Sequence, residues 1–345
     1  MKNKMKFITL LIVAVAVIFV GYKKFEVVAF ENVFLEDAVR AEVDKPFGDV
    51  LKSDLKLIEH LDATGFHIKK LGPIKYMTNL KILELDRNEI DDFSDLSNMK
   101  QLISLAIRHC NLESIDFLRG MNTLEDLYFD FNSVKDISVL SELESLETIY
   151  MNENEVEDIS ALSGLDLYSL GAENMNIQDI DALSDMTHLT NLFLGGNKIK
   201  DISCIANFKN LIMLTLDGND ISDISSLEDL HGLLTLMLKA NEIKDISRLK
   251  NLDHLMTLTL SNNNIEDVSC IGNLQDLKRL ELTNNNIKDI SFLEKLDSLK
   301  YLYIDGNPID DYSVLESIRD EAEFIDVLGG DELEMQSGIE MNFEL

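Results

Sequence analysis

Cations are scarce in this chain. Lys and Arg together number 31 against 63 Asp and Glu, a formal net charge of −32. A surface of that sign repels nucleic-acid phosphates and anionic lipid, which excludes nucleic acid as a partner. A basic partner or a plain solvated surface is left. Catalytic signatures are missing too. There is no G-x-S-x-G, no P-loop and no Rossmann glycine pattern, which removes the familiar hydrolase, nucleotide and dinucleotide sites. Cysteines number three.

Long apolar runs are absent but for one, "FITLLIVAVAVIFVGY" at 7–22, with Lys2, Lys4 and Lys6 before it and Lys23 and Lys24 after it. Basic residues ahead of an apolar core make an export signal or a signal anchor. As a helix the run spans about 24 Å, short of a hydrocarbon core of about 30 Å. Snorkelling lysines at both ends close that gap. No lipobox cysteine follows it. The expectation is an uncleaved N-terminal membrane anchor with the rest of the chain outside. The alternative is a secreted chain cleaved near Ala29, where "VVA" (27–29) offers small residues.

What the chain has in abundance is a repeat. A 22-residue unit begins at Leu80, Leu102, Leu124 and Leu146, restarts one residue early at Leu167, and continues from Leu189 to Leu299. Each of the eleven copies reads L-x-x-L-x-L-x-x-N-x-I-x-D-I-S-x-L-x-x-L-x-x, as in "LMTLTLSNNNIEDVSCIGNLQD" (255–276). That is a leucine-rich repeat. The L-x-L core alternates with period two, so it predicts a short strand with one face buried. All units run the same way, so the strands form a parallel sheet. A unit this short leaves turns of 3₁₀ helix for the return path. The fold expected is an α/β repeat: a leucine-rich repeat solenoid with its sheet on the concave face and 3₁₀ turns on the convex face.

Two polar positions recur. The ninth residue is Asn88, Asn132, Asn154, Asn197, Asn219, Asn241, Asn263, Asn285 or Asn307, with Cys110 and Met175 as departures. Its amide can satisfy backbone groups where the chain leaves the strand, which makes it a structural ladder. A local irregularity is expected at Met175. The Asp of D-I-S is read as a cap for the 3₁₀ turn rather than a calcium ligand, because a calcium cage needs several oxygens converging from one loop.

With its D-I-S-x-L endings, the chain resembles the internalin-type leucine-rich repeat proteins of bacterial surfaces. The stretch 33–85 adds to the likeness and looks like that family's N-terminal cap. In it, "LEDAVRAEV" (35–43) predicts one amphipathic helix, "SDLKLIEHL" (53–61) a second N-capped by Ser53, and "LDATGFHIKKLGPIKYM" (61–77) a worn repeat beginning at Ile58. A solenoid needs such a cap to keep its open end from water. The division expected is a signal or anchor at 1–22, a linker at 23–32, a helical cap at 33–57, repeats at 58–318 (a degenerate one at 58–79, then eleven clear ones), and an acidic tail at 319–345. The resemblance covers about 33–318 and implies a protein ligand on the concave sheet. The family often adds an immunoglobulin-like domain and a wall-anchoring signal; 319–345 fits neither. That tail alternates at "IEMNFEL" (339–345), so it is expected, with Phe324, Ile325, Val327 and Leu328, to cover the last repeat or to add a strand to a partner.

The third, fifth and seventh residues of each unit face away from the core. Among them Tyr128, Tyr150, Phe193, Met213 and Met237 make a broken apolar stripe, flanked by Asp126, Asp130, Glu173 and Asp217. Large apolar residues rimmed by polar ones mark an interface. Tyr301 and Tyr303 form a second candidate patch. Other chemistry is thin. Cys204 and Cys270 share a slot three units apart, about 14 Å at a strand spacing of about 4.8 Å, too far for a disulfide. Cys110 and His109 are neighbours on a strand and point to opposite faces. His188, His231 and His254 lie on the return side with no third zinc ligand converging. No metal, cofactor or small-molecule substrate is expected. The function expected is non-enzymatic protein binding by a monomeric cell-surface adhesin or receptor. The alternative is a membrane-proximal or cytoplasmic scaffold holding a signalling enzyme.

Overall fold

The computed structural model describes residues 26–318 and 324–326. The apolar run 7–22 and the alternating segment 339–345 lie outside the described residues, as do Val327 and Leu328. Among the described residues no helix is long and apolar enough to cross a membrane. The chain divides into two compact units, Met1–Val156 and Glu157–Leu345.

Each unit is a leucine-rich repeat solenoid. The first carries five parallel strands among its described residues: β1 (His60–Asp62), β2 (Ile82–Glu84), β3 (Ser104–Ala106), β4 (Asp126–Tyr128) and β5 (Thr148–Tyr150). The second carries eight among its described residues: β6 (Ser169–Gly171), β7 (Asn191–Phe193), β8 (Met213–Thr215), β9 (Thr235–Met237), β10 (Thr257–Thr259), β11 (Arg279–Glu281), β12 (Tyr301–Tyr303) and β13 (Phe324–Asp326). Register is the repeat itself: within each unit the third residue of one copy pairs with the third of the next, as Thr257 with Arg279. The leucines explain why. Leu255, Leu258, Leu260, Ile265, Ile271 and Leu274 of one copy are all fully buried. A slip by one residue would turn that whole set outward. The return path is a 3₁₀ turn of three to five residues in each copy up to the one from Leu277, such as Ser269–Asn273, and a short α-helix, Val314–Ile318, in the copy from Leu299.

The Asp of D-I-S sits one residue outside the formal cap. Asp267 Oδ1 accepts the N–H of Ser269, the first residue of the turn, at 2.9 Å. Asp136, Asp158, Asp201, Asp223, Asp245, Asp289 and Asp311 do the same at 2.8 Å.

The N-terminal cap departs from the helices expected. The first, α1 (Val33–Glu42), starts at Asn32, whose side chain accepts the Leu35 N–H at 2.9 Å and donates to Phe66 O at 2.7 Å. The second, α2 (Lys52–Leu55), is a single turn, so the helix expected over 53–61 is corrected. Ser53 lies inside it rather than capping it, and Asp54 takes the Leu51 N–H at 2.7 Å. His60–Asp62 pairs with β2 instead of extending the helix. Ladder bonds and full burial of Leu61 outweigh a weak local helical periodicity. At the other end, α3 (Val314–Ile318) precedes β13, which pairs with β12; the Phe324 N–H donates to Lys300 O at 3.0 Å.

Candidate protein-binding faces

The asparagine ladder holds each outward face to its core. Asn263 Nδ2 donates to Leu238 O (2.9 Å) and Leu260 O (3.0 Å), and its Oδ1 accepts the Ile243 N–H (3.0 Å). Each amide thus bonds its own repeat and the one before it. Where the ninth residue is not Asn the backbone answers. Phe66, Cys110 and Met175 hold that slot, and the residue after each, His67, Asn111 or Asn176, is left-handed at φ 53°, 55° or 76°. In the repeats with Asn in that slot the tenth residue has no positive φ. The irregularity expected at Met175 is this flip. It aims two N–H groups at one oxygen: Asn197 Oδ1 accepts from Met175 (3.2 Å) and Ile177 (3.0 Å).

In the first unit, β4 and β5 place Tyr128 beside Tyr150, their rings stacked at 5.7 Å between centroids. Both are half-buried. Arg108 packs over Tyr128 at 4.8 Å and reaches Asp86 (3.3 Å) and Asp130 (3.5 Å). Asp126 is half-buried at the strand start, whereas Asp130 is only 6% exposed. Asp130 accepts the Asn152 N–H at 3.0 Å and the Asn152 side-chain amide at 2.7 Å. It braces the sheet edge, and Asp86 does likewise for the Arg108 N–H at 2.7 Å. Burial pushes the Asp130 carboxyl up, against the Asn152 N–H and Arg108, which pull it down.

In the second unit, Phe193, Met213 and Met237 are half-buried on β7, β8 and β9. Phe193 and Met237 flank Thr215 in register, and Met213 sits two residues before that threonine. Glu173 accepts from Thr215 Oγ1 at 2.9 Å. It passes the intervening repeat over Gly195, where a Cβ would stand 3.0 Å from Glu173 Oε1. Asp217 Oδ1 accepts the Lys239 N–H at 2.5 Å. Burial first, then the charges of Glu281 and Glu173, push the Asp217 carboxyl up to about 6, against the Lys239 N–H. Tyr301 and Tyr303 are half-buried on β12; Arg279 packs over Tyr303 at 4.9 Å while bonded to Glu281, and Phe324 closes the other side at 5.3 Å.

One row of residues escaped the strand pattern, because alternation was followed only to the seventh position. The eighth residue extends the ladder by one bond and then turns off the sheet, as Phe131 does with its N–H on Asn152 O at 2.8 Å. The turn needs positive φ. In the second unit it is filled by Asn174, Gly196, Gly218, Ala240, Asn262, Asn284 and Gly306. In the first it is Gly65, then Arg87, His109, Phe131 and Glu153, at φ 53–58°. Such side chains cost about 1 kcal/mol each in this conformation. A run of bulky residues where the rest of the array uses mostly Asn and Gly was the legible signal.

The described residues hold no group of three His, Cys, Asp or Glu placed to bind a metal. His188 and His254 instead face Asp166 (2.8 Å) and Asp276 (3.3 Å), and His231 faces Asn251 O (3.1 Å). Cys110 and Cys204 are buried, Cys270 is half-buried, and all three are free thiols.

This geometry defines the class: a leucine-rich repeat protein. The family model of "Leucine Rich repeats (2 copies)" matches residues 253–295 and 275–317. Among solved structures the chain is similar to an internalin, InlF, of Listeria monocytogenes, with 34% identity over 86% of this chain and 82% of that one, at a TM-score of 0.68. The chain belongs to the internalin family. The functional domain of InlJ from the same organism shares the fold at 20% identity, covering 83% of this chain and 71% of that one, TM-score 0.67. So does the plant peptide hormone receptor RGFR1 in complex with RGF2, at 17% identity, 75% and 53% coverage and TM-score 0.58. No curated protein matches the chain.

Proposed function

We propose that this internalin is a non-enzymatic, surface-exposed binding protein that takes a protein ligand on the outward faces of its strands. The observation that carries this reading is the Tyr128–Tyr150 stack with Arg108 laid over it. Those side chains point away from the core that builds the fold, and their positions set no repeat register. Aromatic and Arg side chains of this kind dominate interface energetics. Phe193, Met213 and Met237 in the second unit, with Tyr301 and Tyr303 on β12, extend the reading to further patches. Asp126, Glu173 and Asp217 supply polar rims, while Asp130 acts by bracing its strand edge. RGFR1, similar in fold, is a peptide hormone receptor in complex with RGF2, which is in keeping with this class of ligand.

The reading includes the division into a signal or anchor at 1–22, a cap at 33–57, repeats at 58–318 and an acidic tail at 319–345. It places the repeats outside the cell as an adhesin or receptor. Replacing Tyr128, Tyr150 and Phe193 by Ala, one at a time, tests the face. Binding of a selected protein ligand should weaken about tenfold or more for hot-spot positions, with the thermal melt preserved. Unchanged affinity in all three rejects the face. Protease shaving of intact cells bearing a C-terminal tag tests the location; a tag that survives until lysis rejects it.

A further inference from the structure

The bulky left-handed residues of the first unit do little for folding that Asn or Gly would not do better. Phe131 is 48% exposed, with its ring stacked flat on His109 at 4.2 Å and 8°. Beside this pair lies a hollow of about 520 Å³ lined by His67, Arg87, Asn88, Glu89, His109 and Asn111. Its acid, Glu89, is turned to Lys69 at 3.4 Å. Its fixed cation, Arg87, is exposed and has no ion-pair partner among the described residues. The two imidazoles of His67 and His109 border the same space. In a chain of net charge −32 this sets a cation with no ion-pair partner among the described residues next to an exposed aromatic ring.

We infer that Arg87, His109 and Phe131 form a docking ridge for an acidic segment of a protein ligand, with a carboxylate over the hollow and a neighbouring apolar side chain on the Phe131 ring. Charge complementarity selects the carboxylate: Arg87 has no ion-pair partner among the described residues, and a guanidinium fork takes a carboxylate by paired charge-assisted hydrogen bonds. The platform selects the apolar neighbour, because an exposed ring lying on a second ring offers one free flat face. The same hollow would admit a lone small anion, but that would leave the Phe131 face unused. This inference rests on the protein-binding reading above and adds the chemistry of the ligand and a second place of contact, at the turn rather than on the strand.

The test uses the full chain and a phage-displayed library of random 12-residue peptides. Enriched peptides should place Asp or Glu beside Phe, Tyr or Leu. Their affinity should fall at least tenfold for the triple variant Arg87→Asn, His109→Asn, Phe131→Asn, and should fall with added NaCl. Replacing the peptide carboxylate by its amide should cost as much as Arg87→Asn alone. The triple variant should melt no lower than the parent, because Asn is at ease in this conformation, so lost binding is not lost folding. Peptides indifferent to the triple variant but lost on Tyr128→Ala with Tyr150→Ala overturn the ridge and leave the strand face standing. Peptides indifferent to the amide swap overturn the carboxylate assignment. No enrichment at all overturns both.

Discussion

Asn132 holds two backbone N–H groups of the preceding repeat on one side-chain oxygen, that of Cys110 at 2.9 Å and that of Leu112 at 2.9 Å. Asn111, between them, is left-handed at φ 55°, which turns both N–H groups to the same side. Cys110 itself stands where an asparagine belongs, and its thiol lies 3.1 Å from Leu85 O, the carbonyl that also accepts from Asn88 at 2.7 Å. The ladder therefore tolerates a weak donor in one repeat because the next repeat's amide takes up the extra bond. Several consequences can be measured.

A ladder asparagine in an intact stretch should be costly to remove. Asn263 is 7% exposed and bonds Leu238 O, Leu260 O and Ile243 N–H. Asn263→Ala strands those groups in a closed core. A loss of about 3 kcal/mol is expected, read as a lowered urea midpoint. A shift below about 0.5 kcal/mol would mean the strand ladder alone carries the turn.

The thiols should be inert while the chain is folded. Burial pushes Cys110 up to about 11, Cys204 to about 12 and Cys270 to about 11, with nearby Asp charges adding to each. Alkylation proceeds through the thiolate. At pH 8, iodoacetamide should leave all three unmodified in the native chain and modify all three in urea, as intact mass will show.

Asp217 should make the fold less stable as pH rises. Its folded carboxyl titrates at about 6, above its ordinary 3.8, so between those values the folded chain holds more protons than the unfolded one. Stability from this group is greatest at or below pH 4 and declines through pH 6. Asp217→Asn should remove that slope and raise stability at pH 7 by on the order of 2 kcal/mol. A pH series of denaturation midpoints on parent and variant reads it directly.

The D-I-S aspartates should act in the opposite direction. The N–H and hydroxyl of the following Ser hold Asp136, Asp158, Asp201 and Asp289 below the usual carboxylate range. Their contribution is complete above pH 4 and is lost as pH falls through the lowered values. Replacing Asp201 and Asp289 together by Asn should shrink the stability difference between pH 5 and pH 2.5. An unaltered acid transition would remove these turns from the account.

Ala240 occupies the left-handed eighth position at φ 56°, with Gly218 before it and Asn262 after it. Asn accepts this conformation more readily than Ala. Ala240→Asn should raise stability by about 0.5–1 kcal/mol, measured by the same urea titration.

The period of 22 and the leucine spacing made the parallel strands, their register and the 3₁₀ returns legible in advance, because those residues face only the core and their neighbours in the stack. The asparagine row was legible for the same reason: a buried amide beside a turn has few other uses. The cap was harder. "SDLKLIEHL" carries a helical spacing, but His60–Asp62 joins β1. The outward face was legible as a list of positions and not as a site. Nothing in period two says that Asp130 is buried under Asn152 and Arg108 while Asp126 is not.

Taken alone, the amino-acid order determined the repeat, the strand direction and which residues meet the core, since apolar spacing has one way to be buried when identical units stack. Tertiary structure decided the rest. Bonds between residues 20 to 25 apart chose which acids brace strand edges, where the backbone flips beside Cys110 and Met175, and that Arg87, His109 and Phe131 share one exposed row. Those outcomes depend on which groups meet across neighbouring repeats. No local propensity encodes them, because each is a compromise between a backbone angle and a hydrogen bond supplied by a different copy.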